Sequence, residues 1–114
     1  MSILDDTKKM LGIEADYDVF DLEIMNHINA SLSKLSQIGV GDATPITDNS
    51  RDWDDLDLVD PQLNWAKTLI FSETKMAFDP PTTSYMIDAL KNQIEEQTWR
   101  LSTLVEADRV LPEV

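Results

Sequence analysis

A pair of prolines divides residues 61–107 into two stretches that each have helical spacing of apolar side chains. Proline lacks an amide hydrogen and disfavours helical geometry in the residue before it, so the first helix must end at or just before Asp79. Hydroxyl side chains at residues 82–84 can cap a new helix directly afterwards. The sequence therefore predicts an antiparallel helix hairpin with Asp79, Pro80 and Pro81 in the turn.

The apolar spacing within the hairpin predicts which faces are buried. The first stretch carries apolar residues around much of its circumference, which is typical of a central helix. The second stretch has one row at 3–4 spacing, interrupted only by Gln97 and expected to face the first helix, formed by Ile87, Leu90, Ile94, Leu101 and Leu104. Tyr85, Asn92 and Trp99 lie seven residues apart, roughly opposite this row.

Residues 1–41 predict two more helices. Ser2 can cap a first helix that runs to about Leu11 and ends at a glycine. A second helix is expected to start at Asp18 or Asp21 and to end at the Gly39-Val40-Gly41 segment. With Asp18 as cap, Tyr17 and Leu22 would have the spacing of a hydrophobic staple.

These elements define the expected fold class. The 114 residues form one domain, an all-α bundle of about four helices built on the long antiparallel hairpin. Residues 42–60 form an irregular acidic loop, in which Trp53 to Leu58 can make one helical turn against the body. Residues 108–114 are expected to form a flexible tail.

The charge balance excludes several classes of partner. Nine basic and 22 acidic residues give a net charge of −13, whereas binding to nucleic acid or to anionic membranes depends on basic residues. The sequence has no cysteine and no apolar run long enough to span a membrane. We therefore expect a soluble intracellular chain with neither sequence-specific DNA contacts nor membrane contacts.

Two features resemble catalytic or metal sites, and neither meets the chemical requirements. Acidic residues alternate from Asp48 onwards as in a calcium loop, but the sixth and twelfth positions are Trp53 and Val59, where glycine and glutamate are required. His27 is the only histidine and the chain has no cysteine, so the sequence does not supply the set of ligands typical of a zinc site. We expect no catalytic, cofactor-binding or metal-binding residue.

Three aromatic residues are candidates for a partner or subunit interface. Tyr85 and Trp99 lie on the outer side of the last helix, and Trp53 lies in the acidic loop. Tryptophan and tyrosine are enriched in protein interfaces. The alternative is that these side chains cover other helices of the same chain, and burial in the isolated subunit distinguishes the two interpretations.

Four stretches in fixed order carry a family resemblance, namely Ile3 to Ile13, Ile24 to Gly41, Lys75 to Pro81 and Glu95 to Leu101. In these stretches the chain resembles the small head-tail connector (adaptor, or head-completion) proteins of tailed bacteriophages and prophages. The resemblance implies a structural protein without enzymatic activity or cofactor, assembled in the host cytoplasm and present at the head-tail junction of the virion. It also implies a ring, possibly dodecameric, that sits on the portal protein, extends the DNA channel and receives a further neck or tail-completion protein.

Two alternatives belong to other functional classes. An acidic binding module could act as a DNA mimic or as a host-directed regulator. A mimic requires carboxylates spread like phosphates along a surface, whereas much of the acid here is concentrated in one loop. An enzyme is disfavoured because no set of base, nucleophile and metal ligands can be assembled.

Overall fold

The computed structural model describes residues 2–41 and 44–110, with side chains to residue 106. Four α-helices follow one another along the chain: α1 (Ile3–Met10), α2 (Asp21–Gln37), α3 (Gln62–Phe78) and α4 (Ser84–Val110). A short 3-10 helix, Trp53–Leu56, lies in the acidic loop. The prediction of a small all-α bundle is therefore confirmed.

The ends of α1 follow the capping rules. The Ser2 Oγ accepts a hydrogen bond from the Asp5 amide at 3.0 Å, which satisfies one of the free amides of the first turn. After Met10 the chain reverses at Gly12, whose φ of +81° lies in the left-handed region that favours glycine. The α1 prediction is confirmed to within a residue.

Of the two predicted starts of α2, Asp18 and Asp21, the structure confirms Asp21. The helix begins at Asp21 and its N-cap is Phe20, with no side-chain cap. The predicted Asp18 cap is wrong because the Asp18 carbonyl instead accepts the Asp21 amide at 3.2 Å in a turn before the helix. The Tyr17 ring contacts Phe20, with ring centroids 5.9 Å apart, whereas Leu22 is left 71% exposed.

The hairpin consists of α3 and α4. Asp79 caps the end of α3 and α4 begins at Ser84, so Asp79, Pro80 and Pro81 lie between two helices. The helix α4 has 27 residues and is about 40 Å long. Its backbone is helical to Val110, past the expected start of the tail, and residues 111–114 of that predicted tail lie outside the described residues.

The hydrophobic core is centred on α3, which contacts α1, α2 and α4. Among the described helices, α4 packs mainly on α3. The core side chains from the four helices are Ile3, Leu4, Ile24, Ile28, Leu32, Leu35, Ala66, Leu69, Ile70, Leu101 and Val105. The position of α3 at the centre agrees with its broad apolar circumference.

The inner row of α4 is only partly buried, which corrects the sequence prediction. Leu101 is fully buried, but Ile87, Leu90, Ile94 and Leu104 are half-buried. Gln97, the apparent interruption of the row, is 2% exposed. The physical reason is that α3 is the main helical neighbour of α4, so these side chains meet one helix rather than a surrounding core.

Candidate assembly surface

The three aromatic interface candidates differ in their surroundings, and Trp53 belongs to the interior. Its side chain is 7% exposed, and its ring meets Phe71 edge-on at 5.7 Å between centroids. The Trp53 Nε1–H donates to Asp6 Oδ2 at 2.9 Å, which joins the acidic loop to α1. Trp53 therefore covers other helices of its own chain, the alternative left open by the sequence.

Tyr85 and Trp99 lie on the solvent side of α4. Tyr85 is 82% exposed and Trp99 is 62% exposed, with the exposed Asn92 between them. A separation of seven residues corresponds to about 10.5 Å along the helix axis. The outer face of α4 therefore presents two large aromatic side chains to solvent, and their interface role stays a prediction.

Trp99 is part of a cluster of rings around one cation. The Arg100 guanidinium lies 5.5 Å from the Trp65 ring centroid and 5.9 Å from that of Trp99. Glu96 accepts a hydrogen bond from the Arg100 Nη2 at 3.2 Å. A shallow cavity of about 160 Å³ opens between Trp65 and Trp99. Such stacking orders long side chains in the free subunit, so that they lose less conformational entropy when a partner binds.

An apolar depression runs between α3 and α4 toward the turn. Two adjoining cavities of about 440 and 280 Å³ share Lys75, Leu90 and Gln93. Met86 lines the first and Met10, at the end of α1, lines the second. Leu90, a half-buried member of the inner row of α4, therefore faces both cavities.

Most of the exposed apolar side chains lie at the hairpin-turn end of the bundle. The Phe20 ring packs edge-on against Phe78, the last residue of α3, at 5.3 Å. Seven of the nine large exposed hydrophobic residues described belong to this end, which we call the hairpin-end surface. Its members are Met10, Tyr17, Val19, Phe20, Leu22, Tyr85 and Met86.

The sequence reasoning identified Tyr85 but missed the other members of the hairpin-end surface. A signal was present for the four members that lie within residues 14–23, since apolar and acidic residues alternate from Glu14 to Glu23. That alternation fits neither a buried helix nor a simple solvated link. It is the pattern of a segment that exposes apolar side chains among charges.

Comparison with known protein families identifies the class of protein that carries this surface. The family model described as "Phage connector protein" matches residues 3–108. The chain belongs to the phage connector family. No curated protein and no solved structure gives a significant match.

Membership of the connector family defines the role in outline. The protein functions in the phage head-tail connector, as a structural kind of protein that interacts with other head and tail proteins. Within residues 2–41 and 44–110, no helix combines the length and the apolar character needed to cross a membrane.

One buried ion pair fixes the segment that leads into α2 of the connector. Lys8 is fully buried, and its Nζ lies 2.7 Å from Asp21 Oδ1 and donates to the Ala15 carbonyl at 2.9 Å. A buried ammonium needs such partners because its desolvation is costly. The pair therefore holds the segment before α2 against α1, a contact that the spacing of residues in the sequence does not indicate.

The acidic loop makes local contacts with its own backbone. The Ser50 hydroxyl donates to Asp48 Oδ1 at 2.6 Å, and the Ser50 amide donates to the same atom at 2.8 Å. These hydrogen bonds, the one from the hydroxyl first, hold the pKa of Asp48 below its ordinary value. Over the described ranges, no three histidine, aspartate or glutamate side chains are grouped as metal ligands.

His27 lies on the flank of α2. Its Nε2 is 3.9 Å from Glu23 Oε1, one helical turn earlier. This spacing is that of an ordinary i, i+4 pair on a helix surface.

Proposed function

We propose that this connector protein assembles as a ring on the portal protein at the head vertex and extends the DNA channel toward the tail. A further neck or tail-completion protein then docks on the ring. The observation that carries the proposal is the open outer face of α4, on which the Trp99 side chain is 62% exposed in the isolated subunit.

The shape of the subunit supports lateral association. Its principal extents are 52 × 36 × 19 Å, so it is a flattened and elongated body. Because α4 packs mainly on α3, a helix about 40 Å long has an open side. Trp99 and the stacked Arg100 occupy that side and suit a contact with a neighbouring subunit.

The charge of the chain is compatible with a channel wall. A net charge of −13 repels phosphates, so DNA passes such a wall without being bound. The surplus of acidic residues therefore supports a passive role toward DNA.

Reconstitution tests the proposal. Purified connector is mixed with the portal protein of the same phage, and the complex is imaged by cryo-electron microscopy while its mass is measured. We expect a ring of connector density on the portal, and we expect Trp99→Ala to reduce ring occupancy without changing the circular dichroism of the free subunit. Val59→Ala, at a site that is 78% exposed and outside α4, is the matched control.

Two outcomes would contradict the proposal. One is a connector that stays monomeric and unbound in the presence of the portal. The other is a reconstruction of the complete phage neck with no density for this chain between the portal and the tail.

A further inference from the structure

The hairpin-end surface is exposed although its supporting segment is firmly held. Val19 is 66% exposed and Leu22 is 71% exposed, while Phe20 between them packs on Phe78. Lys8 also fixes this segment, through its ion pair with Asp21 and its hydrogen bond to the Ala15 carbonyl. Apolar side chains displayed on an ordered backbone lose little entropy on binding, as expected of a docking surface.

The charges around this surface identify the kind of partner. Glu14, Asp16, Asp18, Asp21 and Glu23 are interleaved with the apolar residues, and residues 14–23 include no lysine or arginine. Lys8 compensates Asp21 alone. In residues 2–41 and 44–110, no basic side chain forms an ion pair with Glu14, Asp16 or Asp18.

A second copy of the chain does not fit this surface. Each copy has a net charge of −13, so contact between copies here would bring like charges together. Among the described side chains, at least five basic residues are already in ion pairs with acids of their own chain, namely Lys8, Lys34, Lys67, Lys75 and Arg100. The chain therefore has few cations with which to neutralise the acids of a neighbour.

We propose that the hairpin-end surface docks a different protein of the phage neck, one that presents apolar side chains within a rim of lysine and arginine. The inference rests on the proposed function and deepens it, because it separates the surface for this heterologous partner from the Trp99 region used between copies. The apolar residues supply affinity, and the acidic residues accelerate association and select a basic partner.

Binding measurements with the full-length connector test the apolar part. The probes are the portal protein and the next neck protein of the same phage, each titrated against wild-type connector and against the Val19→Ser/Leu22→Ser double variant. We expect binding to one of the two probes to weaken about tenfold or more, as for loss of interface anchors. Connector self-association, measured by sedimentation, should be unchanged. Val59→Ser is the matched control at an equally exposed valine.

A second pair of variants tests the charges. Asp16→Asn/Asp18→Asn should slow association with the same probe and flatten its dependence on salt concentration. The control is Asp54→Asn/Asp57→Asn in the acidic loop, at two exposed positions. Asp57 has a φ of 55°, a conformation that asparagine adopts readily.

The inference is overturned if the serine double variant binds both probes as tightly as wild type, or if it loses self-association instead. It is also overturned if the control variants weaken binding equally, or if the asparagine pair leaves the salt dependence unchanged. These results would leave the ring proposal standing, provided that the wild-type protein binds a probe. A wild-type connector that binds neither probe would refute the proposed function and the inference together.

Discussion

Trp53 and Trp99 allow the effect of the same substitution, tryptophan to alanine, to be compared at a buried and at an exposed position. Trp53 is 7% exposed, whereas Trp99 is 62% exposed. Removing a buried aromatic side chain costs about 3–5 kcal/mol through lost burial and an unfilled cavity. The free energy of unfolding of a domain is about 5–15 kcal/mol, so Trp53→Ala should remove a large share of the total. Trp99→Ala should change it by about 0.5 kcal/mol or less.

Urea unfolding followed by far-ultraviolet circular dichroism measures both losses. With a slope of about 2 kcal/mol per molar urea, the Trp53→Ala midpoint should fall by about 2 M. The Trp99→Ala midpoint should fall by no more than about 0.25 M on the same slope. Equal shifts for the two variants, in either direction, would refute the assignment of Trp53 to the core and of Trp99 to the surface.

The hydrogen bond of Trp53 can be separated from its packing. Trp53→Phe retains a ring against Phe71 but removes the Nε1–H that donates to Asp6 Oδ2. A double-mutant cycle with Asp6→Asn should give a coupling energy of about 1 kcal/mol. This is below the range of about 1.5–3 kcal/mol for charged acceptors because the Asp6 side chain is 26% exposed. A coupling near zero would show that packing alone anchors the loop.

Three further predictions concern the core, the buried ion pair and the acidic loop. Leu101→Asp should abolish the cooperative melt because it places an unpaired charge in the core. Leu90→Asp changes a half-buried position. It should lower the melting temperature but leave the circular dichroism spectrum of a folded protein. Lys8→Ala should cost about 2–3 kcal/mol in urea unfolding, because its carboxylate partner is left unpaired but is 25% exposed. Ser50→Ala should raise the pKa of Asp48 toward its ordinary value in a carbon-detected NMR titration. In the wild type, the lowered pKa of Asp48 stabilises the folded state at pH values above the ordinary pKa of aspartate. This stabilisation is lost as the pH falls through the pKa of Asp48 in the folded state.

Much of the connector fold depends on residues that are close in sequence and was therefore predictable. The Ser2 cap involves an amide three residues away, and Gly12 and the double proline act on their own backbone. Helical periodicity places Tyr85 and Trp99 opposite the apolar row, but the sequence left open whether another helix covers them. The Asp18 cap was wrong because residues 18–21 form a separate turn before the helix. Phe20 in that turn packs on Phe78, a contact between residues far apart in the chain.

The sequence by itself determined where the helices break, how each helix face is oriented and how acidic the chain is. Only the tertiary structure decided that Trp53 is covered while Trp99 is open, that Lys8 is buried and that Leu90 is only half-buried. Periodicity gives the direction of a side chain around its helix axis, but burial depends on which neighbour lies in that direction. For α4 that neighbour is mainly α3. The hairpin set by Pro80 and Pro81 therefore joins α3, the central helix of the fold, to α4, a helix with an open outer face.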